Sequence, residues 1–257
     1  MPSDLPSFDL GGRRALVTGG GSGLGFAIAR GLAHAGASVV LNGRSRDRLA
    51  AAQAALASEG FDARTAPFDV TDAAAVSEGI ATVERTHGAI DILVNNAAIN
   101  QRKALEEFAP AEWRGLLAAN VDGPFFVTRT LLPALKSRRR GKIINICSLA
   151  SDLGRPNIVP YAVSKGAIRQ LTRALAVELA PYNIQVNGIA PGFFKTEMNA
   201  ALVADRDFSA WVAKRTPAGR WGEPPEIAGA AVFLASAAAD YVTGHVLYVD
   251  GGFSASY

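Results

Sequence analysis

The chain of 257 residues has one cysteine, three histidines and little excess charge, 26 basic against 23 acidic side chains. Each shortage excludes something. One thiol, Cys147, rules out an internal disulfide and fits a reducing compartment. Its neighbours Ile144, Asn145 and Ile146 read as the end of a buried strand, which makes it a small core residue. His34, His87 and His245 are scattered, so no metal site is expected. A net charge of +3 is too slight to argue for nucleic acid. The densest basic run, Arg138 to Arg140 with Lys136 and Lys142 flanking it, reads as a solvated loop. No apolar stretch is long enough to span a bilayer, and Met1 to Gly12 lacks the charged start and apolar run of a signal peptide. Together the absences point to a cytoplasmic protein with neither nucleic acid nor membrane as partner.

What is present is a chain of ordinary globular composition, 49% hydrophobic and 19% charged, in which strand patterns alternate with helix patterns. Strands are expected at Arg14 to Thr18, Val39 to Leu41, Ala63 to Pro67, Ile90 to Val94, Lys142 to Ile146, Ile184 to Ile189 and His245 to Val249. Helices are expected from about Ser22 to Ala35, from Arg46 to Glu59, after the Thr71-Asp72 cap, in two stretches before Lys142, and through Tyr161 to Leu179. That order predicts an α/β fold: a doubly wound Rossmann-type domain with a mostly parallel seven-stranded sheet, residues 1–257 forming one unit. Pro191 to Pro225 is the least regular region and reads as an irregular substrate lid.

Between the first strand and first helix lies Thr18-Gly19-Gly20-Gly21-Ser22-Gly23-Leu24-Gly25. Glycines let the backbone turn sharply against a pyrophosphate, and the following helix offers free N–H groups to it. At the crevice of a doubly wound sheet this predicts dinucleotide binding. The second strand ends in Asn42-Gly43-Arg44-Ser45-Arg46, without the carboxylate that would accept the ribose hydroxyls of NAD. Arg44 is free to meet a 2′-phosphate instead, so NADP is favoured over NAD.

Tyr161 and Lys165 stand one helical turn apart, thirteen residues after Ser148. A phenol titrates near 10, and a cation beside it is expected to lower that value towards neutrality. Ser148 adds a hydroxyl able to hold a carbonyl or alcohol oxygen. The set suits proton transfer during carbonyl/alcohol interconversion.

These pieces, in this order, resemble the short-chain dehydrogenase/reductase family over essentially the whole chain. The glycine motif corresponds to Thr18 to Gly25, the adenine-side pair to Asp69-Val70, and the Asn-Asn-Ala-Gly motif to Asn95-Asn96-Ala97-Ala98, with Ala98 departing from glycine. The resemblance implies a catalytic set of Asn120, Ser148, Tyr161 and Lys165, in which Asn120 anchors a water linking Lys165 to solvent. It implies cofactor contacts from Gly19, Gly21, Ser22, Gly23, Leu24, Gly25, Asn42, Arg44, Asp69, Val70, Asn96, Ala97, Tyr161 and Lys165, and from Pro191, Gly192 and Thr196 near the nicotinamide. It also implies a homotetramer with His245 to Gly252 at one interface.

Within the family the chain looks most like the bacterial gluconate 5-dehydrogenases, through Asn145 to Ser148, Asn183 to Met198, Lys214 to Gly222 and Leu105 to Phe108. Those enzymes reduce a ketone on a linear sugar acid. Arg102 and Arg155 are the candidate cations for its carboxylate, beside Ser148 and Tyr161 at the reacting end. Asn100, Lys103 and Ala150 depart from the group's pattern at pocket positions. A 3-oxoacyl-carrier-protein reductase is the alternative, and it needs a basic patch such as Arg138 to Lys142. Another sugar or polyol dehydrogenase and a catalytically silent nucleotide sensor are further alternatives; the intact Tyr161 and Lys165 argue against the last.

Overall fold

A computed structural model describes residues 7–256. Residues 1–6, where half of the Met1 to Gly12 reading falls, lie outside the described residues. Seven strands form one sheet: β1 (Arg14–Val17), β2 (Ser38–Gly43), β3 (Ala63–Pro67), β4 (Ile92–Asn95), β5 (Gly141–Ile146), β6 (Ile184–Pro191) and β7 (Val246–Val249). Their spatial order is β3-β2-β1-β4-β5-β6-β7, and every pairing is parallel, so the expected mostly parallel sheet is parallel throughout. The chain builds leftward from β1 to β3, then returns to pair β4 on the other side of β1. That reversal opens a crevice at the carboxyl ends of β1 and β4, where ligands of such sheets bind.

The helices are α1 (Gly23–His34), α2 (Arg46–Ser58), α3 (Ala73–His87), α4 (Pro110–Leu117), α5 (Gly123–Arg138), α6 (Val159–Leu179), α7 (Ala200–Ala204), α8 (Arg206–Arg215) and α9 (Ala228–Ala235). Their starts follow capping chemistry. Asp72 accepts from the Ala74 and Ala75 N–H groups to begin α3, and Ser45 accepts from Arg48 N–H to begin α2. The Pro191 to Pro225 region is more ordered than its glycines and prolines suggested. It holds α7 and α8, and Asp205 caps α8 by accepting from Phe208 N–H at 3.0 Å.

Successive residues of the buried strands feed two cores. In β1, Ala15 and Val17 face the layer containing α1 and α9, whereas Leu16 faces the layer containing α3 and α5. Burial on both faces is why these strands read as unbroken apolar runs.

The basic run is corrected at Lys142. Lys142 lies inside β5 with its side chain 3% exposed, and its Nζ donates to Asp240 at 2.6 Å. Arg138 and Arg139 donate to the carbonyls of Ile90 and Pro181, at 2.6 and 2.7 Å. Lys142 is thus withdrawn into the fold, while Arg138, Arg139 and Arg140 stay exposed, as a solvated run would be. Sequence density of charge said nothing of these partners, which come from 42 to 98 positions away.

Leu16 is fully buried between β2 and β4. Leu16→Ala is expected to cost about 2–5 kcal/mol in a chemical denaturation series, from lost burial and the cavity left behind.

Candidate active site

At the sheet reversal, Thr18 Oγ1 accepts hydrogen bonds from the N–H groups of Asn96 and Ala97, at 2.9 and 3.0 Å. Asn96 Nδ2 returns to the carbonyls of Thr18 and Gly19, at 2.9 and 3.2 Å. The glycines here have different duties. A side chain on Gly25 would put its Cβ 2.2 Å from the Gly19 carbonyl oxygen, so Gly25 allows close packing. Gly23 has φ of +55°, and a Cβ there would meet nothing nearer than Thr196 at 3.9 Å. Ser22, the N-cap of α1, makes no capping hydrogen bond with its side chain. An uncapped helix start and open glycine backbone therefore face the crevice, an arrangement suited to a pyrophosphate.

The crevice continues into one cavity of about 1380 Å³. Single-ligand pockets usually hold about 300–1,000 Å³, so this one has room for a dinucleotide and a second ligand. Gly19, Ser22, Gly23, Leu24 and Gly25 line one end, with Asn42, Arg44, Asp69 and Val70 beyond them. Asn96, Ala97, Pro191, Gly192 and Thr196 line the middle, and Ser148, Tyr161, Lys165, Arg102 and Arg155 the far part. Two expected residues are not on its wall. Gly21 turns towards α2, where an added Cβ would touch Arg48 and Leu49 at 3.6 Å.

Asn120 is the other. It sits in a π-helical turn, Ala118–Asp122, behind the cavity. Its Oδ1 accepts from Ile99 N–H at 2.8 Å, and its Nδ2 donates to Ile99 O at 2.9 Å and Ser164 Oγ at 3.0 Å. The side chain thus ties the segment after β4 to α6, the helix that carries Tyr161. Asn42, too, has a structural duty: its Nδ2 donates to the carbonyls of Ala66 and Phe68, holding the ends of β2 and β3 together.

Lys165 Nζ is buried, donates to Ile146 O at 2.7 Å, and lies 5.8 Å from the Tyr161 ring centre. Burial lowers its pKa to about 8. Burial also pushes the Tyr161 phenol above its ordinary value; a hydrogen bond with Ser148 and the charge of Arg102 pull the other way without reversing it. The expected lowering of the phenol by Lys165 is therefore not what governs this geometry. Burial is the leading cause for both groups, and the charge that favours the phenolate comes from Arg102.

Arg102 Nη2 donates to Asn199 Oδ1 at 3.0 Å, and the Arg155 guanidinium stacks 4.7 Å above the Phe208 ring. Neither has a carboxylate partner among the described residues. The Arg155 pKa falls through burial, and Arg102 adds a repulsive push. Lys103, by contrast, is spent on Glu112, at 2.7 and 2.5 Å from its two oxygens.

Several contributors carried no signal in the sequence order. Ser151 Oγ accepts from Ser148 N–H at 3.2 Å and donates to Lys165 O at 2.9 Å, coupling the serine loop to α6. Phe193 meets Phe208, Trp211 and Phe253 edge-to-face, Phe208 stacks on Trp211, and Phe193, Trp211 and Phe253 line the cavity. The aromatic spacing in Arg206–Arg215 was the available clue. No group of three or more metal-ligating side chains occurs among the described residues, and no described helix is long and apolar enough to cross a membrane.

A family model described as enoyl-(acyl carrier protein) reductase matches residues 19–254. The chain is 51% identical to a gluconate 5-dehydrogenase of Gluconobacter oxydans over 249 residues, 97% of each chain. It is 49% identical to a 5-keto-D-gluconate 5-reductase of Escherichia coli over 245 residues, 95% of this chain and 96% of that one. A crystal structure of a gluconate 5-dehydrogenase from Burkholderia cenocepacia, in complex with NADP and tartrate, superposes with a TM-score of 0.94 at 51% identity, covering 97% of this chain and 98% of that one.

The lowered Lys165 pKa has a sign that stability can read. Below about 8 the folded chain carries a buried ammonium at a cost; between that value and 10.5 the unfolded chain binds the extra proton, so wild-type stability gains as pH rises. Lys165→Met removes this dependence. Its stability relative to wild type should fall by about 2–3 kcal/mol between pH 7 and pH 10, measured by urea unfolding.

Proposed function

The chain belongs to the short-chain dehydrogenase/reductase family, and from that premise we propose that it interconverts a ketone and a secondary alcohol on a sugar acid, 5-keto-D-gluconate and D-gluconate, with NADP(H). It is an NAD(P)-dependent oxidoreductase acting on CH–OH groups. The observation that carries the substrate class is the pair Arg102 and Arg155, two guanidiniums on the cavity wall with no carboxylate partner among the described residues. A linear sugar acid supplies the missing anion and a run of hydroxyls. NADP rather than NAD is supported by Arg44, largely exposed at the end of β2, and by the absence of an acid at Asn42. The uncapped start of α1 and the open backbone at Gly23 fit the pyrophosphate.

Bound NADPH supplies a hydride for the carbonyl carbon. Tyr161 Oη then gives its proton to the carbonyl oxygen as negative charge gathers there, and the Ser148 hydroxyl donates a hydrogen bond to the same oxygen. The phenol's raised pKa keeps that proton in place until it is needed. Lys165, its Nζ 5.8 Å from the Tyr161 ring centre, would offer an ammonium to the phenolate that results and would hold the ribose of the nicotinamide half. Asn120 acts at one remove, fixing α6 to the segment after β4. The acidic-carrier alternative finds its basic patch away from the site, because none of Arg138 to Lys142 lines the cavity and Lys142 is buried against Asp240. The same reading takes residues 1–257 as one cytoplasmic domain in a homotetramer, supported by the exposed apolar side chains Phe125, Val163 and Val177 on α5 and α6.

The test is loss of nicotinamide absorbance with 5-keto-D-gluconate against acetoacetyl thioester, each with NADPH and NADH. Saturable oxidation of NADPH by the keto-acid alone is expected; turnover of the thioester alone would overturn the substrate. Tyr161→Phe should lower kcat by about a hundredfold or more while NADPH still binds, since it removes one proton donor. Arg102→Ala and Arg155→Ala should each raise KM for the keto-acid by about tenfold, the loss of one charged hydrogen bond, with NADPH affinity unchanged.

A further inference from the structure

Arg48 and Glu197 approach from opposite sides of the cavity mouth. Arg48 stands in the first turn of α2, packed against the backbone at Gly21. Glu197 follows Thr196 in the segment that leads to α7. Their side chains meet at 3.3 Å, both largely exposed and both facing the cavity at its glycine-rich end. Arg44 occupies the same rim, 3.8 Å from Asp69. Two guanidiniums therefore flank the place where an adenosine ribose would lie, each set against a carboxylate. Nothing in α2 requires an arginine at position 48 for helix formation, because Ser45 already supplies the cap.

We propose, resting on the NADP(H) reading above, that Arg48 is a second ligand of the cofactor's 2′-phosphate and that Glu197 competes with the phosphate for it. An exposed carboxylate–guanidinium pair is weak, whereas a phosphate dianion takes two parallel N–H bonds and carries more charge. The phosphate exchanges the Arg48–Glu197 pair for an Arg48–phosphate pair and frees the segment beginning at Thr196 from α2. A cofactor without the phosphate leaves the pair closed. Glu197 thus sets how strongly the site distinguishes the two cofactors, from the cavity wall beside Thr196.

Calorimetric titration of the full chain with 2′,5′-ADP and with 5′-AMP separates the phosphate from the rest of the cofactor and needs no turnover. Arg48→Gln should weaken 2′,5′-ADP by about tenfold and leave 5′-AMP unchanged. Glu197→Gln should tighten 2′,5′-ADP by about two- to fivefold, again without effect on 5′-AMP, and the double variant should match Arg48→Gln alone. Unchanged or weaker 2′,5′-ADP binding by Glu197→Gln overturns the proposal, as does an equal loss of both ligands in Arg48→Gln. A wild-type chain that fails to prefer 2′,5′-ADP over 5′-AMP overturns the NADP reading itself. A wild-type preference that Arg48→Gln leaves undiminished overturns this inference alone.

Discussion

The site depends on one close approach, that of the Gly19 carbonyl to Gly25, with Asn96 locked over it. Gly25 has no room for a Cβ, and one on Gly19 would stand 2.8 Å from Asn96 Nδ2. Thr18 holds Asn96 and Ala97 by their N–H groups, so the ends of β1 and β4 are bound by side chain as well as by ladder. Every other distance in the crevice is measured from this joint. It fixes where α1 begins, and so where its free N–H groups point. It also fixes the exit of the chain towards Ile99, which Asn120 then ties to α6 and Tyr161. A phosphate site and a proton donor on different elements are held in one frame by a few buried hydrogen bonds, each costly to leave unmade.

Charge is distributed by pairing rather than by density. Of the basic run that stands out in the sequence, Lys142 is closed against Asp240, while Arg138 and Arg139 rest on the carbonyls of Ile90 and Pro181, away from the cavity. Three of the cations that line the cavity lack a close carboxylate: Arg44 at 3.8 Å from Asp69, Arg102 on an amide, Arg155 on a ring. A net charge of +3 hides this asymmetry. Lys142, closed against a carboxylate, has little to gain from an anion, whereas a guanidinium on a ring or a neutral amide retains most of its attraction for one.

The strands, the glycine turn and the Ser148–Tyr161–Lys165 set were legible because each is written in local spacing: apolar runs bounded by glycine, or residues one helical turn apart. What escaped depends on partners brought together by the fold. Lys142 looked like part of a charged loop because nothing local announces Asp240. The sequence order likewise gave no sign that the Asn120 amide bonds Ile99 and Ser164, since both partners come from other elements. The lid read as irregular because Gly192, Pro217, Gly219 and Gly222 dominate its composition, while the Asp205 cap and the helix it starts occupy only its middle. Ser151 was silent for the same reason: its two partners lie on different elements.

The electrostatics of Tyr161 connect the two ends of the proposed chemistry. Burial lifts the phenol and lowers Lys165 to about 8, so the lysine would lose its proton first as pH rises. That order suits a phenol that must arrive protonated at a ketone. Arg102 opposes it, being a cation that favours the phenolate. A substrate carboxylate seated on Arg102 would cancel that influence, and the phenol would then be governed by burial and Ser148 alone. Binding the acid end of the substrate therefore secures the proton at its ketone end. An alcohol entering in the opposite direction meets the converse problem, because with Arg102 occupied the phenolate it needs keeps only the Ser148 hydrogen bond against burial. The same guanidinium thus links recognition of the anion to the protonation state of the acid, through charge and without movement of the backbone.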